Sequence, residues 1–429
     1  MRKWILNLAP GLLLGVGLSL TAARLAFIWN LFPSHDLGQA SAYVREVMQI
    51  VNQNYVDPKA VSYDALARSA MHGMAESLDP HSEFLESADN QELEDELNGE
   101  FGGIGILVEV LRGRVVVIAP MLGTPGERAG IQRGDQIMSI DGRPVDASAS
   151  MDGVVKELRG KPKTQVTVGL FRESTGQKLT LTLTREIIKV DSISSARVLP
   201  DDIGYIRLTD FSEHTGEQFD DALDKLLKQG IGSLVLDLRD NPGGIIDSAV
   251  DVAEPFFRKG ELIVYTQGRT PADRDEYRAE TDGEPLNLPV AVLINAGSAS
   301  AAEIVTGALK DTGRAVVVGE RSFGKGSVQS IFKLKNGEGL RLTVARYYTP
   351  SGVSIHQKGI TPQVEVVMTA DEDQNLRDQS ARPDLTDPRK FREQFGVDPV
   401  EDRQLEAACD VLKGVEMFDG QVAALRKVH

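Results

Sequence analysis

Sulfur is nearly missing from this chain, since Cys409 is the single cysteine in 429 residues. No intrachain disulfide can form, and metal clusters held by several thiolates are excluded. Basic charge is also short: 47 Lys and Arg stand against 63 Asp and Glu, a net charge of −16. That balance opposes nonspecific attraction to nucleic acid or anionic lipid, and no basic array marks a nucleic-acid groove. Histidine is scarce, with His35, His72, His81, His214, His356 and His429 making six. None sits in a local catalytic motif, although sequence alone leaves a Ser-His-Asp arrangement open. His214 and His356 read as loop, capping or surface residues. The remaining composition, 41% hydrophobic and 26% charged, is that of a soluble globular chain long enough for two or three domains.

The pronounced apolar stretch at the start follows Arg2 and Lys3, runs from Leu12 to Leu20, and ends in Thr21-Ala22-Ala23. This is the pattern of an export signal. Apolar residues resume at Leu25 to Trp29, so residues 1–30 serve as a cleaved signal or a retained inner-membrane anchor, and the expected location is periplasmic. From Ala40 to Ala88 the pattern is helical, with Val44, Val47, Met48 and Val51 on one stripe and Leu66, Ala70 and Met74 on another. These form an expected N-terminal helical region, 36–91.

Beyond residue 190 strands and helices alternate. Expected strands are Ile203 to Leu208, Leu234 to Leu238, Val290 to Ile294 and Ala315 to Val318. Expected helices are Gly216 to Leu227, Ile245 to Phe257 and Ala301 to Lys310. Alternation of this kind argues for an α/β core with parallel strands. From Thr369 to Asp398 the composition turns polar and charged, which predicts a mobile connector. A last helix then starts near Pro399 and buries Leu405, Cys409, Leu412 and Met417 on the core or on another chain.

The chemistry-bearing stretch is Gly297-Ser298-Ala299-Ser300-Ala301-Ala302-Glu303-Ile304, followed by Phe323-Gly324-Lys325-Gly326-Ser327-Val328-Gln329. The first reads as strand, tight turn and helix, and places Ser300 at a helix N-terminus. Unpaired backbone N–H groups and the positive end of the helix dipole there can stabilise an oxyanion. Ser300 and Glu303 also satisfy the pattern of a plain capping box. Lys325 between two glycines adds a candidate base. Its ordinary pKa of ~10.4 must fall for it to accept a proton, and burial beside Phe323 and Val328 is the expected cause. Gln329 can hold the amine without adding a carboxylate. Gly319 to Lys325 matches most of a phosphate-binding loop, but Gly326 stands where a magnesium-binding hydroxyl is required.

These two runs, together with Leu238-Arg239-Asp240-Asn241-Pro242-Gly243-Gly244, resemble the carboxyl-terminal processing (tail-specific) serine proteases. The resemblance implies Ser300 as nucleophile, Lys325 as general base and Gln329 as the residue that orients it. Ala301 and Gly243 or Gly244 would be the oxyanion donors. It also implies a crotonase-like core over 190–368 that uses no metal or organic cofactor. Ala302 departs from the family, where many relatives carry a third serine.

Glu100 to Val108 and Gly123 to Ile137 resemble a PDZ domain spanning 92–185, inserted between the N-terminal helices and the core. Such a domain takes a chain terminus as an added edge strand and holds its carboxylate on a glycine-rich loop. The residues this places on the tail are Phe101, Gly102, Gly103, Ile104, Gly105 and Ile106. Residues 369–429 complete the chain as connector and C-terminal helix. The expected function is an exported endopeptidase that recognises C-terminal tails of protein substrates and cuts through a serine acyl-enzyme. The resemblance leaves room for an activating adaptor, and the terminal helices leave self-association open. The rival is an inert tail-binding scaffold or holdase in which Ser300 is only a cap.

Overall fold

The computed structural model describes residues 35–111, 113–145, 151–382 and 385–426. The expected export signal lies outside them. The chain divides into two compact units, residues 1–84 and 85–429. In the first, helices His35–Asn54 and Tyr63–Glu76 follow one another. Ser62 accepts the Ala65 N–H at the second helix's start, and Asn52 Nδ2 donates to Val61 O at 2.8 Å. The apolar stripes expected here are only partly buried. Val44, Val47 and Met74 are exposed, and Ala75 is the one fully buried residue of the two helices. Two helices alone offer too little facing surface to cover two such stripes.

The second unit begins with helix Ser87–Leu97 and a β-rich domain. Its five main strands are Ile106–Leu111, Arg114–Pro120, Asp135–Ile140, Gln165–Arg172 and Gln177–Thr184, paired antiparallel in that order. Alternating residues Val115 and Val117, and Val166, Val168 and Leu170, point to one face. They pack with Val154 and Leu158 of helix Met151–Leu158. A short ribbon, Glu100–Gly103 against Glu186–Lys189, closes the domain.

The core sheet runs Ile193–Leu199, Ile203–Leu208, Ser233–Asp237, Val290–Ile294, Ala315–Gly319 and Val364–Glu365. Only the first pairing is antiparallel. Ser233–Asp237 and Val290–Ile294 are buried at every residue, as central strands covered on both faces must be. Helices Thr215–Lys228, Ile246–Ala253 and Ala301–Asp311 cover one face. The other is covered by helix Arg403–Arg426, whose Ala408 and Leu412 sit on Tyr205, Val235, Ala291 and Leu293.

The C-terminal helix thus packs on its own core through Leu405, Cys409 and Leu412, while Met417 is left exposed. It starts at Arg403, four residues later than Pro399. The connector is largely helical, contrary to the expectation of a mobile segment. Helix Ala370–Ala381 is fixed by a Thr369–Glu372 capping box, and helix Pro388–Phe395 by Asp387 at one end and left-handed Gly396 at the other. Local capping supplied the order that mean polarity hid.

Among the described residues no helix is long and apolar enough to cross a membrane. Leu412→Ala should lower unfolding free energy by about 2–5 kcal/mol, read by urea denaturation. A change under about 0.5 kcal/mol would mean the helix is not part of the cooperative core.

Candidate active site

Three loops leave the carboxyl ends of three adjacent parallel strands. Leu238 to Gly244 follows Ser233–Asp237, Asn295 to Ser300 follows Val290–Ile294, and Glu320 to Gly326 follows Ala315–Gly319. The first two are laced together. Asn295 Nδ2 donates to Asp240 Oδ1 at 2.8 Å, Asp240 N–H donates to Asn295 Oδ1 at 2.9 Å, and Ser298 Oγ donates to Leu238 O at 2.7 Å. Ala299 N–H donates to Asn241 O at 2.9 Å. Asn241 is fully buried and holds its own turn by donating to Leu208 O and accepting the Gly243 N–H at 2.8 Å.

Ser300 stands immediately before helix Ala301–Asp311 at φ 54°, ψ −117°. A side chain rarely occupies that left-handed region, and the surroundings must enforce it. Gly243 is the close neighbour: a Cβ there would lie 2.6 Å from Ser300 Cβ and 2.8 Å from Ala301 N. Gly244, at φ 151°, abuts Phe211 O, where any Cβ would clash. Among the described bonds, the Ala301 and Gly244 N–H groups have no acceptor, whereas that of Gly243 is engaged by Asn241. Between the two glycines offered by the sequence, Gly244 is therefore the one with a free donor. Ala302 is fully buried in the core, and its carbonyl accepts from Thr306.

The link between serine and lysine is Glu303, which is completely buried. Its Oε2 accepts the backbone N–H of Ser300 at 3.0 Å and of Lys325 at 2.9 Å. Its Oε1 accepts the Gly324 N–H at 2.8 Å and the Ser322 hydroxyl. Burial raises the Glu303 carboxyl above its ordinary value, and the donated hydrogen bonds pull against that rise without reversing it. The lysine loop is further pinned by Phe323 N–H on Ser298 O and by Gln357 N–H on Gly324 O.

Lys325 is half-buried, and desolvation followed by the nearby Arg341 charge depresses its pKa. Phe323 does not supply that burial, contrary to the sequence reading, because the residue is 65% exposed. Val328 does pack against the core. Gln329 Nε2 is held by Ser327 Oγ at 2.9 Å and Thr343 Oγ1 at 3.3 Å, so no bond joins it to Lys325 here. With its N–H donors so engaged, the amide offers its carbonyl oxygen to any donor that approaches. Strand Ser327–Lys333, not a helix, follows Lys325 and removes the phosphate-loop reading. His214 stands at the start of helix Thr215–Lys228, and His356 lies half-buried with its backbone against Gly326.

In the β-rich domain, Phe101, Gly103, Ile104, Gly105 and Ile106 line one cleft, and Arg159 lies 4.6 Å over the Phe101 ring. Gly102 does not line it; its carbonyl accepts the Gly160 N–H instead.

Sequence reasoning missed a buried ion pair behind the Asn-Pro-Gly-Gly turn. Arg239 pairs with Asp237 at 2.7 Å and with Asp402 at 2.8 Å, and also donates to Gln404 Oε1. Burial opposes ionisation of Asp237, but Arg239 outweighs it and holds the carboxyl below its usual range. Arg239 lay inside a recognised motif; Asp402, 163 residues away, carried no local signal.

A profile of peptidase family S41 matches residues 202–366, and a PDZ domain profile matches residues 102–183. A carboxy-terminal-processing protease of Bartonella bacilliformis is 38% identical over 364 residues, 81% of this chain and 83% of that one. A probable CtpA-like serine protease of Staphylococcus aureus is 36% identical over 324 residues, 75% of this chain and 64% of its own length. A putative S41 protease from Bacteroides fragilis shares the fold at a TM-score of 0.52 and 19% identity, covering 86% of this chain and 97% of that one.

Glu303→Gln gives a test of the buried carboxyl. Its pKa is raised on folding, so its stabilising contribution is fully present below the ordinary 4.5 and is lost as pH rises through the folded value. Parent stability relative to Glu303→Gln should therefore be greatest in acid, fall as pH rises, and then level off. Denaturation across pH showing the opposite slope would reverse the assignment.

Proposed function

The chain belongs to peptidase family S41 and is a serine-type endopeptidase, and from that membership and the site's geometry we propose that Ser300 is its nucleophile and Lys325 its general base. The observation that carries this reading is the Glu303 clamp. One buried carboxylate binds the backbone of both residues, so the serine and the lysine loop are fixed to each other. The strained Ser300 backbone at a helix N-terminus supports the same assignment.

In this mechanism neutral Lys325 takes the Ser300 proton as Oγ bonds to the scissile carbonyl carbon. The carbonyl oxygen becomes an oxyanion and accepts from the N–H groups of Ala301 and Gly244. Lys325 then gives its proton to the leaving amine, leaving an acyl-enzyme ester, and activates a water that hydrolyses it. Gln329, through its carbonyl oxygen, orients the lysine when substrate is bound. Burial of Lys325 lowers its pKa, which raises the neutral fraction available near neutral pH.

The proposal extends to a core of crotonase type and to export, with the enzyme acting in the periplasm. Substrates are proteins with accessible C-terminal tails, captured in the Phe101–Ile106 cleft as an added strand. Tail binding there gates the catalytic centre, so deletion of 92–185 should abolish any response to added tail peptide. Exposed Leu37, Tyr43 and Ile50 on the first helix, and exposed Met417 and Phe418 on the last, support self-association through the terminal helices.

Mass spectrometry of an unfolded substrate ending in small apolar residues tests the reading. The parent should cut it, and Ser300→Ala and Lys325→Ala should not. Cleavage surviving Ser300→Ala would overturn the site, and a parent that binds tails without cutting would favour the scaffold reading. Arg341→Gln removes a positive charge that disfavours the Lys325 ammonium, so the ascending limb of the pH–rate profile should move to higher pH.

A further inference from the structure

Tyr347 belongs to strand Gly339–Tyr348 and is one of the largest fully buried side chains of the protein. Its backbone N–H donates to Gly326 O at 3.1 Å, directly after Lys325. Its hydroxyl approaches the Ser300 side chain without forming a full hydrogen bond, and no other described residue bonds to it. The residue thus reaches from the lysine loop, at its backbone, to the serine, at its side-chain tip.

A buried hydroxyl without a partner is unfavourable, and phenylalanine would fill the same volume without it. Packing therefore accounts for the ring and not for the oxygen. Burial and the Glu303 charge push the phenol well above its ordinary value, so it stays protonated and cannot serve as a base near neutral pH. What remains to it is to donate. The oxygen within its reach is that of Ser300, whose own proton is needed elsewhere.

Resting on the Ser300–Lys325 reading, we propose that Tyr347 is a further catalytic residue whose phenol O–H donates to Ser300 Oγ as the serine proton leaves. The Ser300 O–H bond breaks, its proton passes to Lys325 Nζ, and Oγ bonds to the carbonyl carbon while the Tyr347 proton stays on the phenol. The donor acts twice. Before attack it occupies one lone pair of Oγ and so turns the serine proton toward the lysine. During attack it stabilises the negative charge that develops on Oγ before the new bond is complete. This donor faces the attacking oxygen, whereas Ala301 and Gly244 face the oxygen of the substrate. The incomplete hydrogen bond in the free enzyme fits a contact that tightens when substrate moves Ser300 into line.

The test compares the full-length parent with Tyr347→Phe, Ser300→Ala and Lys325→Ala, following the acylation burst with an activated ester and the pH–rate profile. Tyr347→Phe should slow acylation by about tenfold or more. The substrate dissociation constant of the acylation step and the midpoint of the ascending pH limb should stay in place, because the backbone bond to Gly326 and the lysine environment persist. Its melting temperature should equal or exceed that of the parent. Acylation at the parental rate in Tyr347→Phe, with Ser300→Ala inactive, would overturn the proposal alone; cleavage by Ser300→Ala would overturn the dyad beneath it. If Tyr347→Phe fails to fold, a fluorotyrosine in place of Tyr347 keeps the volume and sharpens the donor. A changed acylation rate then supports the proposal, and an unchanged one overturns it.

Discussion

Everything at this site depends on one carboxylate that never meets water. Glu303 sits one turn into the helix that Ser300 begins, and it takes backbone or side-chain donors from both the serine turn and the lysine loop. Removing such a group from solvent is unfavourable unless each lone pair finds a donor. Here the serine turn and the lysine loop supply those donors, so the two segments are held by the same need. The arrangement needs no direct side-chain contact between Ser300 and Lys325 in the free protein. It fixes their backbones relative to each other.

The fold makes this possible by delivering three loops to one edge. Parallel neighbours in the core sheet end at the same level, so the chain emerges three times along one sheet edge. Asn295, Asp240 and Ser298 then stitch two of the loops together, and Gly243 gives the close approach that only a missing Cβ allows. Geometry at this edge is thus set by strand register and by buried polar groups more than by the loops' own propensities.

What was legible in the sequence was whatever the chain states locally. Strands Ile203–Leu208 and Val290–Ile294 match their apolar runs to the residue, and the placement of Ser300 directly before a helix was readable from the run that contains it. Contacts between distant segments were not legible. Phe323 stood two residues from Lys325 in sequence but is exposed, and Tyr347, without a motif of its own, is the aromatic whose hydroxyl approaches the serine. The Ser300–Glu303 spacing was readable as a cap, but the Ser322 to Lys325 donors that make Glu303 a bridge belong to another loop. Average polarity misled over residues 369–398, where two capped helices form despite few apolar residues, because caps act through single positions.

Arg239 shares its guanidinium between Asp237, on the strand that leads into the Asn-Pro-Gly-Gly turn, and Asp402, at the entry to the C-terminal helix. In terms of chain growth, the second carboxylate on Arg239 is made 163 residues after the arginine itself. Until then the buried guanidinium lacks one of its two carboxylates, and the sheet face beneath Leu412 and Ala408 is uncovered. The order of synthesis therefore leaves this buried charge half-paired until the entry to the C-terminal helix has been made.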